Sequence, residues 1–116
     1  MHDPFEVSVG KIQGRTAVLR LSGALDAKSA PMLLERAAAI RANGQNLVMN
    51  LADISFIGSS GVGAILVVAE QFQEQGGIMR LTCLSEAADS VIRLLNLDRY
   101  LTIDANEEES LAAVGS

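Results

Sequence analysis

The fold of this chain is decided between residues 47 and 63. These read Leu47-Val48-Met49-Asn50-Leu51, Ala52, and then Asp53-Ile54-Ser55-Phe56-Ile57-Gly58-Ser59-Ser60-Gly61-Val62-Gly63. The first five are a short, mostly apolar run, as expected of a central parallel strand covered by helices. From Val62 onward, Val62, Ile65, Leu66, Ala69 and Phe72 share one helical face, and Gly76-Gly77 stops the helix. Between strand and helix, residues 53–63 read as a loop with three glycines and two adjacent serines.

Towards the N-terminus, Phe5-Glu6-Val7-Ser8-Val9 alternates apolar and polar residues, which predicts a half-buried strand. Gly10 and Gly14 bracket a turn. Ala17, Leu19 and Leu21 then alternate with Thr16, Val18, Arg20 and Ser22, which predicts a second strand and a hairpin closed by Ser22-Gly23-Ala24-Leu25-Asp26. Pro31 suits the first turn of a helix carrying Leu33, Leu34, Ala37 and Ile40, with Asn43-Gly44 as its stop.

Towards the C-terminus, residues 78–83 predict a strand, and Ser85 caps a helix carrying Val91, Ile92 and Leu95. Tyr100-Leu101-Thr102-Ile103 reads as a last short strand. Asn106 with Glu109 three residues on is a capping-box pattern, with acids where a helix dipole favours them. The order is ββαβαβαβα. That is an α/β fold: a mixed, mostly parallel sheet with an N-terminal β-hairpin and four helices, and a single domain over residues 1–116.

Composition removes several classes of function. The 116 residues carry 9 Lys plus Arg against 14 Asp plus Glu, a net charge of −5, with 49% apolar and 20% charged residues, an ordinary globular balance. A chain of this length buries about two-thirds of its unfolded surface and needs no staple. The one cysteine, Cys83, allows no internal disulfide and no cysteine zinc cluster, and the one histidine is His2, in the N-terminus. A His-containing triad or haem site has nothing to be built from. Lysine occurs only at Lys11 and Lys28 and aromatics are 3%, against direct nucleic-acid binding. The apolar run at residues 64–69 is far too short to span a bilayer, and no signal peptide is visible. The expectation is a cytoplasmic protein without membrane insertion and without a cofactor.

The glycine- and serine-bearing loop departs from three motifs of phosphate binding and catalysis. No lysine lies near, against a phosphate-binding Gly-Lys-Ser/Thr loop. The order from Gly58 to Gly63 is G-x-x-G-x-G rather than G-x-G-x-x-G, with Thr82 and Cys83 where the dinucleotide fold needs an acid. Val62 stands two residues after Ser60, where a nucleophile elbow needs glycine, and no histidine is placed to activate the serine. What remains is a hydroxyl at a helix N-terminus, with unpaired N–H groups and the positive end of the dipole. It is a poor nucleophile by itself but a suitable substrate for another enzyme's base. Plain helix capping, worth about 1 kcal/mol, is the competing reading of the serines, as tight turns and close packing are of the glycines.

Residues 47–63, with Leu-Ser-Gly-Ala-Leu-Asp at 21–26 and Gly76-Gly77 before the next strand, resemble the STAS domain. More narrowly, they resemble the stand-alone anti-sigma factor antagonists of bacterial stress and sporulation switches, over about residues 7–114. The resemblance implies that the chain binds and sequesters an anti-sigma factor serine kinase, frees a sigma factor, and is switched off when that kinase phosphorylates Ser59. A PP2C-type serine phosphatase resets the switch. Ser60 and Gly61 match the positions after the phosphoacceptor, and Asp26 matches the acid that ends the second strand. One departure stands out: the family usually has an acid or Asn before the phosphorylated serine, and here that residue is Gly58. No catalytic residue, metal or cofactor is implied, and no oligomeric state.

The expected partner-binding residues are thus Asp26, Gly58, Ser59, Ser60, Gly61 and Val67. Val67 lies on a stripe with Ser60, Ala64 and Gln71, read as facing away from the core; it is either a partner contact or a lone exposed apolar residue. Asp26 either touches the partner or bounds the first helix. Asp53 reads as orienting the loop backbone, Cys83 as a small buried hydrophobe, and Glu107-Glu108-Glu109 as a solvated first turn. The alternatives are a non-phosphorylated STAS subunit of a lipid-transport or other membrane-associated complex, which the missing acid at Gly58 favours, then a nucleotide-binding module, then a small serine hydrolase.

Overall fold

Gly14, at φ 57°, turns the first strand back on the second. The computed structural model describes residues 4–115, so His2 lies outside the described residues. Glu6–Gln13 (β1) and Thr16–Leu25 (β2) pair antiparallel as the expected hairpin, but the turn comes later. Gly10 does not bound it. Gly10 lies inside β1, where the pairing register slips between Val9 and Lys11, and a Cβ on it would fall 2.5 Å from Arg20 Nε. Its lack of a side chain leaves room for the Arg20 guanidinium, a packing need rather than a turn need.

After the hairpin come Ala30–Ala42 (α1), Asn46–Ile57 (β3), Ser59–Glu74 (α2), Met79–Thr82 (β4) and Glu86–Leu94 (α3). A 3₁₀ turn at Leu97–Arg99, Ile103–Asp104 (β5) and Glu107–Val114 (α4) complete the chain. The sheet order is β1-β2-β3-β4-β5, with every pair after the hairpin parallel. The predicted order ββαβαβαβα and the mixed, mostly parallel sheet are therefore what the chain adopts.

Residues 47–51 are mostly apolar because the sheet is covered on both faces. Leu47, Met49 and Leu51 join Leu19, Leu21 and the buried sides of α1, α2 and α3 in the main core. Val48 and Val18 point the other way, against Leu111 and Val114 of α4. That second cluster is small, and polar pins hold α4 down. Glu107 accepts from Arg20 Nε and Nη2 at 2.9 and 2.8 Å and from Asn50 Nδ2 at 2.6 Å. Asp104 receives Arg80 at 2.7 and 3.0 Å and the Ser110 hydroxyl at 2.6 Å. Glu107 is therefore not part of a solvated turn. The Arg20 and Asn50 bonds outweigh the cost of its burial and lower its carboxyl pKa to about 2.

The helix caps are as expected at Ser85, which accepts from Ala88 N, and at Asn106, which accepts from Glu109 N. Element ends differ where tertiary contacts intervene. Ile78 and Cys83 lie outside β4, and Cys83 is only half-buried, at φ 56°, because the chain turns there towards α3. Leu95 is the exposed C-cap of α3, which Asn96 ends by entering the left-handed region. The last strand begins at Ile103 rather than Tyr100. The 3₁₀ turn uses up the chain before it, Tyr100 is 78% exposed, and the Thr102 carbonyl already accepts from Leu81 N.

Candidate functional site

The residues that end β3 do not form a loop. Strand β3 runs through Asp53, Ile54, Ser55, Phe56 and Ile57, pairing with Ser22 to Leu25 of β2, and only Gly58 separates it from α2. The reason is visible in the pairing. The register slips twice, between Arg20 and Ser22 and between Gly23 and Ala24, and β3 carries an extra residue at each slip. The slips bury Leu51, Ile54 and Ile57 at a spacing of three, which a search for strict alternation takes for irregular chain. With the loop goes the expected role of Asp53: it is an exposed strand residue.

Gly58 is the N-cap of α2, at φ −98° and ψ 180°, a conformation open to any residue. Its N–H donates to Leu25 O at 2.9 Å, and its carbonyl accepts from Val62 N at 3.0 Å. Having no side chain, it supplies no cap, and no acid follows in the first turn. Ser59 and Ser60 are therefore exposed residues at a helix end that its N-cap residue leaves without a side-chain cap. Gly61 is buried against β2: a Cβ there would meet Leu25 O at 2.5 Å. Its missing side chain lets the first turn of α2 seat on the end of β2.

The same contact brings Asp26 to the site. Leu25 pairs with Ile57, so Asp26 leaves β2 where Gly58 leaves β3. Asp26 Oδ1 accepts from Lys28 N at 3.0 Å and from Ser29 N at 3.2 Å, and Ser29 Oγ accepts from Asp26 N at 2.9 Å. Asp26 thus shapes the turn that bounds α1, directly after the strand end on which Gly61 of α2 is seated.

Val67 stands two helical turns beyond Ser60 and is 43% exposed, as expected. Ser60 of the same stripe is exposed too, but two members are corrected: Ala64 is buried and Gln71 accepts from the Arg41 guanidinium, because α1 packs alongside α2. Of the residues expected together, Asp26, Gly58, Ser59, Ser60 and Gly61 share one end of the sheet, and Val67 lies farther along the same helix. Phe56 was not foreseen there. It is 37% exposed, and a Cβ on Gly58 would lie 3.3 Å from its ring. Its signal in the sequence is an aromatic residue one step before a buried strand end, readable only once the strand is known to reach Ile57. Among the described residues, no cluster of His, Cys, Asp or Glu is placed to hold a metal, and no helix is long and apolar enough to cross a membrane.

A model of the STAS domain matches residues 9–110. The chain belongs to the STAS domain family. This STAS chain is 29% identical over 90 residues to the anti-sigma-B factor antagonist of Bacillus subtilis (strain 168), covering 78% of this chain and 83% of that protein. Its structure is similar to that of an anti-sigma factor antagonist from Mycobacterium paratuberculosis, with a TM-score of 0.85, 25% identity and coverage of 97% and 95% of the two chains. It also shares its fold with the Bacillus cell fate determinant SpoIIAA in the phosphorylated form, at a TM-score of 0.73, 24% identity and coverage of 95% and 100%. In this STAS chain the quoted residues 21–26 and 53–63 meet where the end of β2 lies against the end of β3 and the start of α2.

Proposed function

We propose that this chain is an anti-sigma factor antagonist. It is a cytoplasmic binding protein, not an enzyme, consisting of a single STAS domain. It sequesters an anti-sigma factor serine kinase through Asp26, Gly58, Ser59, Ser60, Gly61 and Val67, and so frees a sigma factor. The kinase then phosphorylates Ser59 and releases itself, and a PP2C-type serine phosphatase restores the binding form.

One observation carries this reading: Ser59 presents an exposed hydroxyl as the first residue of an uncapped helix, beside the Asp26 turn. A kinase brings ATP, Mg²⁺ and the base, so the acceptor chain needs only to hold a hydroxyl in reach. A phosphate adds about −1.5 to −2 charges there. The fold tolerates them, because the first N–H groups of α2 and its dipole favour an anion. A contact built for a neutral hydroxyl does not, since it must desolvate the phosphate and make room for it. A loss of ~3–4 kcal/mol corresponds to binding several hundred-fold weaker.

The experiment is incubation with the anti-sigma factor kinase and ATP, read by intact mass and site mapping. Wild type gains one phosphate at Ser59. Ser59→Ala binds the kinase and is not released by ATP, and Ser59→Asp binds several hundred-fold more weakly. Stoichiometric phosphorylation of Ser59→Ala overturns the assignment. Absence of both kinase binding and phosphorylation in wild type points instead to a non-phosphorylated STAS subunit of a lipid-transport or other membrane-associated complex.

A further inference from the structure

Strand β1 is the outer strand of the sheet, with β2 as its one neighbour. The bonding of β2 fixes which way the backbone groups of β1 point. Asn46 N donates to Arg15 O and Gly58 N to Leu25 O, so odd-numbered residues along β2 turn to β3 and even-numbered ones to β1. Glu6 and Ser8 stand opposite Ser22 and Arg20 and bond inward, which turns the N–H and C=O groups of Val7 and Val9 outward. Arg36 Nη1 donating to Val7 O from outside β1, at 3.4 Å, agrees with that direction. The side chains are sorted as well. Val9 and Ile12 share the face of their partners Leu19 and Ala17, which lie in the main core, yet they are 48% and 62% exposed at the rim of the sheet. Glu6, Ser8 and Lys11 share the opposite face, with the acid near one end of the strand and the base near the other.

We propose that a second copy of this chain pairs antiparallel with β1 along this edge, about a two-fold axis at Ser8. An open edge is a template for one more strand, and a two-fold contact must be complementary to itself. This edge is. Val7 exchanges hydrogen bonds with the partner's Val9, and Val9 with the partner's Val7, which uses every outward group before the register slips at Gly10. Glu6 then lies opposite the partner's Gly10, one residue from the partner's Lys11 on the same face, and the two-fold axis makes this contact twice. On the other face the exposed Val9 side chains meet Val7 across the axis. Two five-stranded sheets thereby join into one of ten strands. Arg36 gives up one long hydrogen bond, and the slip between Val9 and Lys11 ends the pairing, so the contact is small and the dimer weak. The pairing does not depend on what binds at Ser59.

The test swaps the charges. Sedimentation of the full chain over a wide range of concentration measures self-association, and NMR follows exchange of the Val9 amide. Wild type dimerises reversibly, and exchange at Val9 slows as the dimer forms. Glu6→Lys alone and Lys11→Glu alone each dimerise about tenfold or more weakly, because like charges then meet at both contacts. An equal mixture of the two variants restores opposite charges at both contacts and dimerises like wild type. Lys11 also helps to lower the Glu107 pKa, so the melting temperature of each variant is recorded alone; rescue on mixing cannot come from a change in either fold. Monomeric wild type at every concentration overturns the proposal, as does a dimer that neither substitution weakens. Protection of Val9 in a monomeric chain only when an anti-sigma factor is added gives the edge to that protein and overturns the second copy.

Discussion

Gly61 and Leu25 touch so closely that a methyl group on Gly61 would come within 2.5 Å of the Leu25 carbonyl oxygen and 2.8 Å of its Cγ. This pair fixes the helix that bears Ser59 on the strand that ends at Asp26. Gly61→Ala therefore costs about 1–3 kcal/mol, although alanine favours helix. Gly63 is the control, because it lies in the same helix with nothing within 4 Å of its absent Cβ. Gly63→Ala gains about 0.5–1 kcal/mol. Urea unfolding of both variants reads the contrast, and a stable Gly61→Ala would refute the close seating of α2.

Gly58 leaves α2 without a side-chain cap at a backbone conformation that any residue can adopt. Gly58→Asp supplies a side-chain acceptor at the N-cap. It gains a few tenths of a kcal/mol, since glycine is itself a tolerable N-cap and the Phe56 ring, 3.3 Å from the new Cβ, has to give slightly. The same variant makes phosphorylated Ser59 less stable, because a carboxylate then adjoins the phosphate. Thermal unfolding of the unphosphorylated and phosphorylated forms checks both signs.

Glu107 ties α4 to Arg20 and Asn50, and its folded pKa of about 2 lies below the ordinary 4.5. A carboxyl depressed in the folded state stabilises above its unfolded pKa and loses that contribution as pH falls through the folded value. Its share is thus full above about pH 4.5 and drains between 4.5 and 2. Replacing it by Gln costs about 1–2 kcal/mol at pH 7, less than a fully buried pair because the guanidinium is half-exposed. The difference in urea midpoint between wild type and Glu107→Gln should shrink steadily over that acid range. A constant difference would mean that the ion pair contributes nothing.

Val67 is exposed on α2 with its neighbours Ala64 and Val68 buried. Val67→Asp leaves stability within about 0.5 kcal/mol, as surface changes do, yet lowers affinity for the anti-sigma factor by about tenfold or more if the partner covers this turn. Calorimetric titration decides it, and unchanged affinity would confine the contact to the sheet end.

The element order was legible because it is written in local periods. The two-residue alternation from Thr16 to Ser22 and the helical spacing of Val62, Ile65 and Phe72 each concern neighbours within a few residues. Ser59 could likewise be read as the start of a helix from the glycines and serines around it, and Ser85 and Asn106 as caps. Asp53 was misread because bulges break the strand period without ending the strand. Tyr100 was misread because an apolar tetrad looks the same whether it pairs or winds. The solvated reading of Glu107 failed because its partners, Arg20 and Asn50, are 87 and 57 residues away.

By itself, then, the chain's order of residues determined which segments are strands and helices, that residues 47–51 are covered on both faces, and that a serine opens the second long helix. Tertiary structure alone decided that β3 outruns β4, that Leu25 brings Asp26 against Gly58, and that the face opposite the main core is pinned by charge. The physical reason is range. Periodicity and capping act through bonds and turns a few residues long, whereas registers, close approaches and buried ion pairs join residues that become neighbours only when the whole sheet is assembled.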